Sequence, residues 1–295
     1  MLQNQSRVFV LNCPSIVNKK DFRWTSDFNW STNKEEIVEL VNGKQDMKAQ
    51  GYYIGQPLQV FRTYEVDGLW QNTEADLAEI AKWAANGFYF APGQYKPVEQ
   101  DTPNYKLEDA DMVIRGTDRP KWVAGMNNAI SYKNFELSFF IYSRIGQSYF
   151  SSLQPGGSGG GKYIGYVRSV DPNDFWSPEN TGARWPQPTS KAKTSVTAVN
   201  QAMYINDGSF VTVRNIGLSY SVPTKILDKF QIKNFQVYAQ VLNPFIFGGD
   251  VVKAGLNPDD TNGWTSVNSV GDPTGGSNNN TVIIKSMVFG LRVGF

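Results

Sequence analysis

The chain has 295 residues, with 28 basic against 27 acidic side chains and a formal net charge of +1, which excludes an overall electrostatic case for binding nucleic acid or an anionic membrane surface. It contains no His and a single cysteine, Cys13, so His-based triads, Cys–His dyads, His-ligated metals, internal disulfides and thiolate clusters are all ruled out. Aromatics at 14%, charged residues at only 19%, and 27 Gly with 15 Pro argue against disorder or a helix-rich domain and suit long strands joined by turns.

Residues 1–14 lack a charged start followed by an apolar core and a small-residue cleavage site, so they carry no secretory signal pattern. No apolar run reaches the ~18 residues of a membrane helix. From residue 21 onward, period-two alternation dominates. In 21–31 the even positions include Phe22, Trp24, Phe28 and Trp30, while the odd positions, Arg23 and Asp27 among them, are all polar. A strand places alternate side chains on opposite faces, so one face is aromatic and the other wet. Similar runs follow at 58–66, 122–132, 135–148, 210–222 and 235–247, and the last, 283–295, places Met287, Phe289, Leu291, Val293 and Phe295 opposite Ser286 and Arg292, with Lys285 and Val288 breaking the alternation.

These are seven predicted strands, most of 11 to 14 residues, whereas soluble strands are most often ~5–6 residues and tilted membrane-spanning strands need ~9–11. Lys133-Asn134 forms a two-residue hairpin turn, and 223–229 is another short connection. Segments 67–121, 149–209 and 248–280 are long. Short turns on one side and long loops on the other are the pattern of an outer-membrane barrel. The segment 32–57 is an exception, a fairly long connection on the short-turn side. The expected fold class is therefore all-β, about seven antiparallel strands of a large transmembrane β-barrel, with long outer loops and one short helix. A soluble β-sandwich is the alternative.

Seven strands cannot close such a barrel, and an open sheet would leave two edges in hydrocarbon. The chain is accordingly expected to be a piece of a longer wall. The helix is expected at 73–86, capped by Thr73 with Asp76 three residues on, carrying Leu77, Ile80 and Ala84 on one face and ended by Gly87.

Three further features invite a site. Residues 156–162 satisfy the GxxxxGK spacing of a phosphate loop, but Tyr163 replaces the required Ser or Thr and no helix follows, so a Gly-rich outer loop is expected. The acidic stretch at 99–111 fails the EF-hand spacing because Pro103 and Tyr105 occupy ligand positions, which leaves a solvated acidic loop. Phe175, Trp176, Trp185 and Trp264 lie in outer loops beside amide and carboxylate side chains. Flat rings beside amides suit sugar or peptide binding, and loop packing accounts for them equally well. Trp24, Trp30 and Tyr220 read as interface anchors on the barrel face. No pair of carboxylates stands at a credible catalytic separation, so no catalytic residue, metal ligand or cofactor is assigned and an enzyme is not expected.

Several segments together resemble a known family. They are 21–34 (DFRWTSDFNWSTNK), Gly55-Gln56-Pro57 leading to 64–71 (YEVDGLWQ), Pro120-Lys121-Trp122 with 131–138 (SYKNFELS), 176–180 (WSPEN), 213–223 (VRNIGLSYSVP), Asn243-Pro244-Phe245 and a terminal Phe295. Their order and spacing are similar to the C-terminal part of SusC/RagA-type TonB-dependent outer-membrane transporters. The resemblance covers residues 17–295, whereas 1–16 form an atypical leader with no counterpart, as a frameshift or misplaced start codon would produce.

That resemblance implies strands contributing to a barrel of about 22, the plugged size class. It implies import of oligosaccharides or peptides across the outer membrane of a Bacteroidetes-type bacterium. The implied partners are a SusD-like surface lipoprotein acting as a lid on the outer loops, the TonB complex through parts upstream, the barrel-assembly machinery reading Phe295, and membrane lipid. Arg23, Asp27, Asn215, Gln236 and Arg292 would then face the lumen. The rival readings are another outer-membrane barrel (a siderophore receptor, porin or adhesin) and a soluble carbohydrate-binding β domain.

Overall fold

The computed structural model describes residues 1–150, 174–187, 198–253, 255–259 and 283–295. Among them, seven strands form one antiparallel sheet: β1 (Leu2–Lys19), β2 (Phe22–Ile37), β6 (Trp122–Tyr132), β7 (Phe135–Ile145), β10 (Phe210–Ser221), β11 (Asn234–Gly248) and β12 (Ser286–Gly294), paired in that order. The remaining strands lie in the connections. β3 (Phe61–Leu69) pairs with β4 (Tyr95–Val98) and β5 (Met112–Gly116), and β8 (Ser148–Phe150) pairs with β9 (Ile205–Asp207).

One expectation changes here. Segment 58–66 is not a wall strand; it begins the small three-stranded sheet. Its residues Val60, Phe61, Arg62, Thr63 and Tyr64 are all buried, so both faces are covered, unlike a membrane strand. Residues 1–16, read from the sequence as an atypical leader, form most of β1, which pairs along β2 from Leu2↔Ile37 to Lys19↔Phe22. The division at residue 16 therefore falls inside a strand.

The exchange removes the exception in the loop rhythm. The three connections at one end are Lys20-Asp21, Lys133-Asn134 and 222–233, and the three at the other are 38–121, 146–209 and 249–285. Backbone bonds link the short-turn end: Lys133 N–H donates to Asp21 O at 2.8 Å, Ser221 N–H to Asn134 O at 2.9 Å, and Lys233 N–H to Gly294 O at 2.9 Å.

Register carries single rows of side chains across the sheet, because directly opposed residues in antiparallel strands point the same way. One row is Phe22, Tyr132, Phe135, Tyr220, Val237 and Leu291; the next on that face is Trp24, Ile130, Leu137, Leu218, Ala239 and Phe289. Further along come Ser26, Asn128, Phe139, Ile216, Val241 and Met287, and finally Trp30, Ala124, Ser143, Val211 and Phe247.

This apolar face is not covered. Phe289 is 77% exposed, Met287 72%, Leu291 66% and Phe247 62%. A soluble monomer rarely leaves such a band open. Aromatics mark both borders, with Phe22, Tyr132, Phe135 and Tyr220 at one end and Trp30 and Phe247 at the other. The borders are eight residues apart, about 27 Å along a strand, or roughly 21 Å of height at the tilt of an outer-membrane barrel. Within the band, Trp24 Nε1 donates to Asn128 Oδ1 at 3.2 Å, which pairs the side-chain oxygen of a buried Asn on the apolar face. Among the described residues no helix is long and apolar enough to cross a membrane.

The best-packed core lies in the loop layer rather than the wall. Tyr64, Trp70, Trp83, Phe90, Leu107, Met112, Ala198 and Val199 form one buried cluster. Helix α1 (Glu74–Ala85) feeds Trp83 into it, edge-on to Phe90 at 5.5 Å. Thr73 caps α1 by accepting from Asp76 N–H at 3.2 Å, and Asp76 Oδ2 accepts from Gln71 N–H at 2.7 Å. The inward stripe is rotated from the expected one: Ile80 and Trp83 face the core, whereas Leu77 is 44% exposed. Packing of the large indole decides the rotation.

Candidate functional site

The second face of the wall is polar, and all five residues expected to face a lumen lie on it. Arg23 opposes Ser131, which opposes Glu136 and then Ser219. Asp27 opposes Asn127, which leads through Phe140 to Asn215. Gln236 opposes Arg292; Arg292 Nη1 donates to Gln236 Oε1 at 3.5 Å, and Gln236 Nε2 donates to Ser219 Oγ at 3.1 Å.

Asn215 reaches this face because of a bulge. Pairing with β7 runs from Val213↔Ile141 directly to Asn215↔Phe140, so Arg214 is the extra residue. On β11 the same point is absorbed by Asn243, at φ 49°, and Pro244. A bulge flips parity in one strand: Val213 is on the apolar face, Asn215 on the polar one, and Ile216 on the apolar one again. Small residues keep this face open for neighbouring side chains. A Cβ on Gly290 would stand 2.3 Å from the Tyr238 ring, and one on Gly217 would stand 3.0 Å from Ser138 Oγ.

Above the wall, segment 174–187 folds against the sheet of β3, β4 and β5. Trp176 N–H donates to Trp185 O at 2.9 Å, and Gln187 N–H to Gly93 O at 2.7 Å. Trp176 Nε1 donates to Gln71 Oε1 at 2.9 Å. Trp176 and Trp185 are only 4% and 5% exposed. Trp185 packs with Tyr204, Tyr95, Phe150 and Phe175, and the Arg184 guanidinium lies 4.7 Å over its ring. The structure thus gathers Phe175, Trp176 and Trp185, with both indoles inside the loop packing. Trp264 and the Gly-rich stretch 156–162 lie outside the described residues.

The acidic stretch caps its own backbone. Glu99 Oε1 accepts from Asn104 and Tyr105 N–H, each at 2.7 Å, and Asp111 accepts from Gln100 N–H at 3.2 Å and Glu108 N–H at 2.9 Å. Asp109 turns away from this loop to Arg62, whose guanidinium bonds both its carboxylate and its carbonyl, and to Lys48 Nζ at 2.6 Å. Sequence reasoning missed this clamp, because Arg62 lies in a strand assigned to the wall. The Arg62 hydrogen bond, aided by Lys48 and opposed by burial, holds the Asp109 carboxyl at about 2, below its ordinary 3.8.

A depressed carboxylate stabilises above its ordinary value and loses that contribution as pH falls through its folded one. Amide protection of residues 46–54 and 109–112, relative to intrinsic exchange, should therefore be unchanged at pH 4 and should fall between pH 4 and about 2. Asp109→Asn should be less protected already at neutral pH and show no such acid step. An identical acid step in the variant would remove Asp109 as its origin.

No family model matches the chain. It is 27% identical over 259 residues to TonB-dependent receptor P3 of Formosa agariphila, covering 83% of this chain and 24% of that one. It is 25% identical over 259 residues to the TonB-dependent receptor SusC of Bacteroides thetaiotaomicron, covering 83% and 23%. A structure of the RagAB peptide importer in its open-open state matches all of this chain and 29% of its own, with TM-score 0.67 at 16% identity. The resemblance to SusC/RagA-type TonB-dependent receptors is borne out.

At that identity the structural match shows the fold alone, and the fold it shows is the RagAB barrel. The chain spans about a quarter of the length of the curated relatives it matches. The SusC/RagA-like wall thus has the two-faced strands of a barrel, and its loop layer has a core of its own.

Proposed function

We propose that the chain forms wall and outer loops of an outer-membrane active transporter of the TonB-dependent kind. The observation that carries this reading is the two-faced sheet: a continuous exposed apolar face bordered by aromatics, a polar face, short turns at one end and long packed loops at the other. Lipid would meet the first face and water the second. Arg23, Asp27, Asn215, Gln236 and Arg292 would line the path or contact a plug. The cargo class is oligosaccharide or peptide, moved without covalent chemistry. A SusD-like lipoprotein would dock on the loop layer, including α1, and energy would come from the TonB complex through other parts of the receptor. Phe295, 83% exposed at the short-turn end, would present the assembly signal.

The test is cellular and biochemical together. An epitope-tagged protein should fractionate with the outer membrane, shift on gels only after boiling, and co-purify with a surface lipoprotein. Deletion of its gene should abolish uptake of labelled oligosaccharides or peptides. A product that is water-soluble and monodisperse without detergent would overturn the reading and favour a soluble β domain.

A further inference from the structure

One cluster on the polar face is not absorbed by wall or loop packing. Arg144 lies near the long-loop end of β7, and the bulge in β10 places Arg214 beside it. The Arg214 guanidinium stacks 4.8 Å over the Tyr142 ring. Two neighbouring guanidiniums repel each other and call for an anion. The last connection supplies one. Asp259 places Oδ1 3.3 Å from Arg144 Nη1, and its Oδ2 accepts from Arg214 Nη2. Among the described residues Asp259 bridges the two guanidiniums, and the Asp118 carboxylate also acts on Arg144.

The fit is that of a replaceable occupant. Arg144 is 15% exposed, Asp259 26% and Arg214 34%, so the pair opens to the polar side. Beside it lies a cavity of about 270 Å³, lined by the apolar side chains of Phe210, Ile246, Ile283 and Ile284 together with five polar residues, Arg214 and Asp259 among them. Apolar side chains beside convergent polar groups are the usual elements of a small-ligand site, and here the polar share is the larger. The rest of the loop is held independently of Asp259: Gln147 Nε2 donates to Pro258 O at 3.0 Å, and Leu256 packs with Val251 and Tyr149. Asp259 can therefore leave the arginines without the loop leaving the wall.

We infer that Arg144 and Arg214 form a carboxylate-binding subsite on the polar wall, which Asp259 fills until an organic carboxylate with an apolar substituent displaces it. The inference rests on the transport reading, because it names a chemistry of the cargo on that wall. A tethered carboxylate is an intramolecular competitor at an effective concentration in the millimolar range. Removing it should expose the full affinity of the pair.

The probe is hippurate, compared with its uncharged amide, titrated calorimetrically into the intact protein purified in detergent. The wild type should prefer hippurate. Asp259→Asn should bind hippurate about 3- to 10-fold more tightly, and Arg214→Gln should lose about tenfold and with it the preference over the amide. Glucuronate serves as a second arm: binding to Asp259→Asn would assign the site to sugar acids as well, and selective binding of hippurate would assign it to carboxylates with apolar substituents.

Equal binding of hippurate and its amide by the wild type would overturn the inference, as would an Asp259→Asn variant that binds hippurate no better. If Arg214→Gln fails to fold, judged by its gel shift on boiling, the Asp259→Asn arm decides alone. Uptake is scored separately. Binding as expected with no uptake of any cargo would sink the transport reading and leave the subsite; uptake with no carboxylate preference would do the reverse.

Discussion

Val241→Arg should block stable insertion of the wall, whereas Gln240→Arg, one residue earlier on the same strand, should leave it intact. Val241 lies in the row of Ser26, Asn128, Phe139, Ile216 and Met287, midway between the two aromatic borders. An arginine at the middle of a lipid-facing band costs about 2–4 kcal/mol, and near an interface about 0–1. Gln240 pairs with Gly217 and Val288 on the polar face, where a long cation reaches water. Phe289→Arg should fall between the two, because its row is one step from the Tyr132–Phe135–Tyr220 border. The measurement is the fraction of protein that resists unfolding on unheated gels after reconstitution into lipid vesicles, across a urea series. Equal loss for Val241→Arg and Gln240→Arg would sink the two-faced assignment, and a Phe289→Arg loss as large as that of Val241→Arg would move the midplane.

How far this arrangement is legible in the sequence depends on what alternation encodes. In 122–132 and 135–148 the pattern and the Lys133-Asn134 turn together determine both strands and their pairing, and the structure agrees to within three residues at one end. In 58–66 the alternation is real but reports only that a strand is present. It carries no information about which sheet receives it, and the burial of Phe61 and Thr63 on the opposite side from Val60 and Tyr64 comes from loops remote in the chain. Residues 2–19 fail in the other direction. Gln3 to Arg7 are all polar and Val8 to Leu11 all apolar, so no period of two appears. This strand is defined by the long edge that β2 offers, a tertiary cause that propensity does not contain.

The sites divide along the same line. Arg23, Asp27, Asn215, Gln236 and Arg292 share a face because strand parity is local. The bulge at Arg214 would have scrambled that argument had Asn215 been counted from Val213. Aromatic loop residues are legible as a composition, but whether a ring is covered depends on its partner. Trp176 is covered by Gly93 and Gln71, more than eighty residues upstream. The Arg144–Arg214–Asp259 cluster joins two strands, one of them at a bulge, and one connection, and no spacing in the sequence announces it.

The loop layer holds the second large effect. Gly93→Ala should undock segment 174–187 from the sheet of β3, β4 and β5, at a local cost of about 2–4 kcal/mol, from a left-handed residue that gains a Cβ and from overpacking. Gly93 sits at φ 80°, and its added Cβ would stand 2.4 Å from Trp176 Cε3 and 2.8 Å from Gln187 Cβ. Its backbone is also committed, since Gly93 N–H donates to Trp70 O and Gly93 O accepts from Gln187 N–H, both at 2.7 Å. The residue therefore cannot slide away from the indole without giving up a bond. Gly43→Ala provides the reference, because Gly43 has nearly the same φ, 84°, with nothing within 4 Å of the added atom, and should cost only about 1–2 kcal/mol of backbone strain. Amide exchange at Trp176, Trp185 and Gln187 reads the difference directly. Protection should collapse in Gly93→Ala and persist in Gly43→Ala, whose effect should stay within its own turn. If both variants keep protection in 174–187, the contact with Gly93 does not hold this segment, and the Trp176–Gln71 bond must carry the docking instead.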